Sequence, residues 1–282
     1  MRGKCFGVGL AASVLLAVPG ARAAVPEVAA ADTIVDINVA FMHTQYHENF
    51  PKDNSPQGYG DDEAGYSPGF GVGASALVPL RQGWNPDLYT SLDYDFNAGD
   101  IHYGGHYQSG GRLSATDNAV FNRIEAKLGL GFQIPGIGIE MIPFIAAGYQ
   151  AWNRNINPKD AIGTDEFYHS GLLGGGIKMD FPVTPTLVVS LTPEVLGLVG
   201  GGIAINNLNL NQQFGPSAEQ RVTFGLNDAL SGRLHIIGSV YWEHFNYSGS
   251  KPQVFDTYYL VNEPLSITTQ FGASIGVAYS FI

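Results

Sequence analysis

Apolar and polar residues alternate along ten segments of the chain. In 34–46, Val35, Ile37, Val39 and Phe41 are separated by Asp36, Asn38 and Ala40. Successive side chains of a strand point to opposite faces, so this spacing predicts a strand with one apolar face. The same period runs through 69–78, 87–97, 120–134, 140–152, 168–181, 186–197, 220–230, 234–247 and 265–281. In 120–134, for example, Ile124, Ala126, Leu128 and Leu130 alternate with Arg123, Glu125, Lys127 and Gly129.

The connections sort these strands into an architecture. Four are short: Pro79 to Pro86, Pro135 to Gly138, Pro182 to Pro185, and Ser231 to Arg233. Five are long and polar, at 47–68, 98–119, 153–167, 198–219 and 248–264, and long and short alternate without exception. A secreted β-sandwich also has one apolar face per strand, but nothing in it calls for that rhythm. A transmembrane barrel does, with tight periplasmic turns and large external loops. Each run is close to the ~9–11 residues that cross a bilayer as a tilted strand. An open sheet edge would leave backbone groups unpaired in lipid, so the sheet has to close. The expectation is an all-β, closed, antiparallel up-and-down transmembrane β-barrel of about ten strands, or of 8 or 12 if one hairpin is miscounted. An even strand number puts both termini on the periplasmic side.

The first residues differ from the rest. Arg2 and Lys4 precede an apolar run from Phe6 to Val18, followed by Pro19, Gly20 and the triplet Ala21-Arg22-Ala23. That is the layout of a secretory leader cut after Ala23. The run is too short for a membrane helix. The expected division is a cleaved signal peptide at 1–23, a flexible lead-in at 24–33 rich in Ala and Pro, and the barrel at 34–282. Charged residues make up 14% of the chain, against a typical ~25%, while Gly (37), Tyr (14) and Phe (16) are plentiful. The net charge of −11 argues against nucleic-acid binding. Cys5 alone excludes a disulfide scaffold.

The polar face carries the candidate chemistry. Its charges are Asp36, Asp93, Asp95, Arg123, Glu125, Lys127, Lys178, Asp180, Glu194, Arg221 and Glu243. Charges inside a narrow lumen are costly unless paired. Hairpin pairing sets Asp93 or Asp95 near Arg123, and Glu194 near Arg221. The candidate lumen network, structural or pore-lining, is Asp93, Asp95, Arg123, Glu125, Lys127, Glu194, Arg221 and Glu243. Tyr94, Tyr149, Trp152, Trp242 and Tyr279 are expected on the lipid face as interface anchors. His43, His47, His102, His106, His169 and His244 gather toward the loop end with Asp61, Asp62, Glu63, Asp100, Asp165 and Glu166. A cation or surface ligand is a candidate partner there, although the spacing is not diagnostic of a metal. Gly272-Ala273-Ser274-Ile275-Gly276 matches a nucleophile elbow only in letters, because no helix follows it. No cofactor is implied.

The final strand, with Phe271, Ile275, Val277, Tyr279 and Phe281 on alternate positions, resembles the C-terminal insertion signature of bacterial outer-membrane proteins. Ile282 departs from it by following the usual terminal aromatic. Ile142-Pro143-Phe144-Ile145-Ala146-Ala147-Gly148-Tyr149 and Phe181-Pro182-Val183-Thr184-Pro185 are similar to segments of the broad OmpA-like, porin-like superfamily of small barrels. The resemblance implies insertion by the outer-membrane assembly machinery, outer-membrane lipid as the surrounding partner, and residence in the cell envelope of a Gram-negative bacterium. It is specific for fold and location and says little about activity. The expected role is structural, surface-binding or narrow-pore, without catalysis. The alternatives are an omptin-like protease, whose paired acids Asp93-Tyr94-Asp95 superficially resemble, and a lipid A-modifying barrel enzyme, for which no motif is present.

Overall fold

The computed structural model describes residues 24–49, 60–80, 86–106, 111–158, 163–255 and 259–282. The leader expected over 1–23 lies outside them. The chain begins with a helix, α1 (Pro26–Asp32), followed by β1 (Ile34–Asn49), β2 (Asp62–Pro79), β3 (Asp87–His106) and β4 (Arg112–Gln133). Next come β5 (Glu140–Pro158), β6 (Thr164–Pro182), β7 (Leu187–Ile205) and the short β8 (Leu210–Gln213). The remainder is β9 (Ser217–Ser231), β10 (Leu234–Tyr247), β11 (Gln253–Phe255), β12 (Tyr259–Val261) and β13 (Leu265–Ser280).

The ring runs β1-β2-β3-β4-β5-β6-β7-β9-β10-β13 and closes through the antiparallel pairing of β13 with β1. Ten strands therefore form the barrel wall. Of the rest, β8 pairs with the end of β7, while β11 and β12 pair with each other. Closure leaves no edge strand in the wall, which is what a sheet immersed in hydrocarbon requires.

The alternation has the sense that a barrel in lipid demands. Val35, Ile37, Val39 and Phe41 on β1 are 41–61% exposed, while Met42, Thr44 and Tyr46 farther along face inward and are buried. Phe271, Ile275, Val277 and Tyr279 of β13 join the same outer band. Trp152 departs from the expected lipid-facing set. It stands three positions after Tyr149, an odd step that puts it on the opposite face. It is 3% exposed and stacks on Phe121, with ring centroids 5.0 Å apart.

Several strands are longer than the alternation indicates. Most of the described residues in the expected loops 47–68, 98–119 and 153–167 are strand, because β2, β3, β4, β5 and β6 continue far past the apolar band. Beyond the bilayer the outer face has no need of apolar residues. The alternation fades at residues such as Asn153 and Asn155, while the backbone ladder persists.

Both ends of the ring are occupied. The turn end holds the start of β1, the end of β13 and the tight turns. Within residues 24–33, expected as a flexible lead-in, Pro26–Asp32 form α1 there. Pro26 stands in the first turn with Glu27, both favourable at a helix N-terminus. Val28 and Ala31 are buried against Leu77, Tyr89, Ile142 and Val188. Tertiary packing of this kind orders a helix too short to be stable alone.

Candidate functional site

Midway along the lumen stands Arg123, on β4. Its guanidinium lies 2.6 Å from Glu125 on the same strand and 2.8 Å from Glu219 of β9. Glu243 of β10 is at 3.3 Å and Glu194 of β7 at 3.6 Å. In the ring order β9 and β10 are on the wall opposite β4, so one side chain crosses the lumen. Lys127 bridges Glu125 and Glu194, each at 2.9 Å, and lies over the Phe144 ring. Arg221 pairs with Glu243 at 3.1 Å and lies over Tyr241. Three cations thus meet four glutamates within a buried layer. Mutual pairing is the condition under which buried charges are tolerated.

The layer includes six of the eight expected residues, with Asp93 and Asp95 outside its ion pairs, and the expected hairpin neighbours are adjacent in the backbone. Asp95 is the backbone partner of Arg123, and Glu194 that of Arg221. The side chains choose otherwise: Arg123 turns to the glutamates and Glu194 to Lys127 and Arg123. Asp93 accepts a hydrogen bond from Ser91 Oγ at 3.1 Å. Asp95 lines a cavity of about 50 Å³ with Arg123, Arg221, Tyr241 and Glu243. The omptin comparison expects Asp93 and Asp95 near the loop end. Asp93 instead stands nearer the Asp87 end of β3, deep in the lumen.

Two participants were not on the candidate network drawn from sequence. Glu219 precedes Arg221 by two residues and therefore shares its face. Extending the alternation by one step would have found it. Arg154 follows Trp152 by two residues in a stretch assigned to a loop. It is 2% exposed, the centre of a second layer nearer the loop end. It pairs with Glu63 and, at 2.8 Å, with Glu166. It donates to Tyr168 Oη at 2.7 Å and lies over the rings of Tyr46, Trp152 and Tyr168.

A folded-in loop covers Arg154. Glu263, between β12 and β13, accepts hydrogen bonds from Tyr46, at 3.2 Å, and from Tyr168. Its backbone N–H donates to Ser250 Oγ and Gln212 Oε1, which ties it to the segment carrying β8. Burial, reinforced by the charge of Glu166, pushes the Glu263 carboxyl up to about 7, with Arg154 opposing.

The histidines and acids at this end do not gather around one point. His47 contacts Asp62, Tyr103 donates to Asp61 at 2.5 Å, and Asn118 donates to Asp100 at 2.6 Å. Asn206 donates to Asp165 at 3.2 Å. Among the described residues, no group of three or more His, Cys, Asp or Glu is arranged to hold a metal ion.

No protein-family model and no curated protein matches this sequence. Among solved structures, the fold is similar to that of the outer membrane protease OmpT from Escherichia coli. The TM-score is 0.52 at 8% identity, covering 88% of this chain and 96% of that one. It is also similar to the transport unit of the autotransporter AIDA-I from Escherichia coli (TM-score 0.46, 9% identity, 87% of this chain and 90% of that one). A third is the translocator domain of the autotransporter NalP from Neisseria meningitidis (TM-score 0.41, 12% identity, 88% and 89%). At such identities the likeness is one of fold: a closed antiparallel barrel of the bacterial outer-membrane kind.

Proposed function

We propose that this chain is an integral outer-membrane barrel with a structural and surface-interaction role, and that its lumen is sealed. The observation carrying the reading is Arg123, which touches carboxylates of β4, β7, β9 and β10 at one height. A guanidinium held between carboxylates of opposite walls narrows the lumen at that height, which supports a sealed barrel. The outward apolar band fits acyl chains as the surrounding solvent. The surface role falls to the loop end, where Asp62, Asp100 and Asp165 are exposed. Their charge suits a cationic surface ligand.

The protease OmpT shares the fold, but one fold carries many chemistries, so the site decides. Water activation for peptide hydrolysis needs acid and base within hydrogen-bond reach at an accessible cleft. Asp93 and Asp95 are in the lumen, and the glutamates about them are bound to cations. The test is a pair of measurements on refolded protein. In planar bilayers, inserted barrels should stay electrically silent, and in a peptide-cleavage assay no product should form. Stepwise conductance would remove the sealed lumen. Cleavage lost in Asp93→Asn and Asp95→Asn would replace this reading with the protease.

A further inference from the structure

At the turn end, below the Arg123 layer, four carboxylates are buried: Asp32, Asp87, Glu140 and Asp180. Lys178 serves two of them, contacting Asp32 at 2.7 Å and also Asp180. Among the described residues, no side-chain cation pairs with Asp87 or Glu140. Glu140 is fully buried, and neither of its carboxylate oxygens has a hydrogen-bond partner among the described residues. The same is true of Asp87 Oδ1. The two side chains converge over Gly131. That residue is the backbone partner of Asp87, and a Cβ on it would meet Glu140 Oε1 at 2.5 Å. An unpaired buried carboxylate is costly, and here two share one pocket.

One donor does reach Asp87. The backbone nitrogen of Ala24 donates to Asp87 Oδ2 at 2.7 Å. Ala24 is the residue after the Ala21-Arg22-Ala23 triplet. Ala24 and Val25 pack on the cluster of Val28, Leu77 and Ile142, which fixes the nitrogen's position. An amide nitrogen offers one hydrogen and no charge. An ammonium offers three hydrogens and a positive charge.

We propose that the α-ammonium of Ala24, released by hydrolysis of the Ala23–Ala24 peptide bond, is the counter-ion of Asp87 and Glu140 and anchors the plug helix. In that step an exported chain's leader-cleaving protease adds water across the bond. The C–N bond breaks, hydroxyl goes to the Ala23 carbonyl to give a carboxylate after proton loss, and Ala24 keeps an amine that is protonated at neutral pH. The two additional hydrogens are available to three oxygens that lack partners among the described residues, Asp87 Oδ1 and the two of Glu140, so one hydrogen can go to each carboxyl. The site thus forms only on processing, and it couples leader removal to seating of α1. This inference stands whether or not the barrel conducts.

The experiment uses the full chain, exported in a Gram-negative host and purified from membranes. Intact mass and N-terminal sequencing should place the first residue at Ala24. In the folded protein an amine-acylating reagent at neutral pH should label that terminus roughly tenfold more slowly than in denaturant, the mark of a protected group. Acetylating the terminus before refolding should lower the urea midpoint. In the double variant Asp87→Asn, Glu140→Gln, acetylation should have no effect on it. A first residue other than Ala24 overturns the proposal, as does equal labelling in folded and denatured protein. An equal acetylation penalty with and without the two carboxyls also overturns it. The mass and labelling results come from the wild-type chain, so they decide the matter even if the double variant fails to fold.

Discussion

Gly73 and Gly148 show how differently two glycines of one wall are used. Gly73 is the backbone neighbour of Asp36 on one side and of Asp93 on the other. A Cβ there would approach only carboxylate oxygens, Asp36 Oδ2 at 2.5 Å and Asp93 Oδ1 at 2.8 Å, and these can swing away. A Cβ on Gly148 would press on backbone, Ile124 O at 2.4 Å and Glu125 Cα at 3.2 Å, which cannot. Overpacking of a tight site costs about 1–3 kcal/mol. Gly148→Ala should show a loss of that order in urea unfolding of the refolded barrel. Gly73→Ala should lose less than about 1 kcal/mol. Equal losses would mean that close backbone contact is not what keeps Gly148 small.

Among the elements, the loop bearing Glu263 should respond to pH. Its carboxyl faces Glu166, Glu48, Arg154, Tyr46 and Tyr168 and is raised to about 7, first by burial. A raised carboxyl keeps its proton in the folded loop at a pH where the unfolded loop has lost it. The loop is therefore held best below the ordinary glutamate value of about 4.3, loosens as pH rises toward about 7, and changes little above. Hydrogen exchange at the Ser250 and Glu263 amides, corrected for intrinsic rates, should show more opening at pH 8 than at pH 5. Glu263→Gln should flatten the profile. A rate independent of pH in the parent would show that Glu263 is ionised throughout.

The same elements show where the sequence was legible. Every wall strand was visible, because lipid on one side forces an apolar residue at each second position. The outer ends of β2 to β6 were not, since water on both faces removes that constraint, and Arg154 falls in an apparent loop for this reason. Glu219 is legible in the alternation, two residues before Arg221 on the same face. The plug helix had no such signal: seven residues with two buried apolar side chains become helical through what they touch. Cα pairing across hairpins was readable for Asp95 with Arg123. The partners that the long side chains choose across the lumen were not, because strand order around a closed ring brings β4 opposite β9 and β10 only in three dimensions.

On the scale of the whole molecule, three barriers stand in series along the axis: α1 with the Lys178 cluster, the Arg123 layer, and Arg154 beneath its loop. Between the first two is a cavity of about 180 Å³, reached by Asp32, Asp36, Asp93 and Lys178. Barriers in series do not add like parallel leaks; the tightest one sets the current. Removing 24–32 should therefore leave the barrel silent in planar bilayers, because Arg123 still bridges the walls. Arg123→Gln alone should also stay silent, held shut by α1 on one side and by the Glu263 loop on the other. Ion passage should appear only when α1, Arg123 and the loop 248–264 are altered together. That conductance should favour cations, since the freed lumen keeps Asp93, Asp95, Glu125, Glu194, Glu219 and Glu243 along its wall. Conduction by either single variant would show that the barriers are not independent and that the folded charge layers depend on the plug to stay in place.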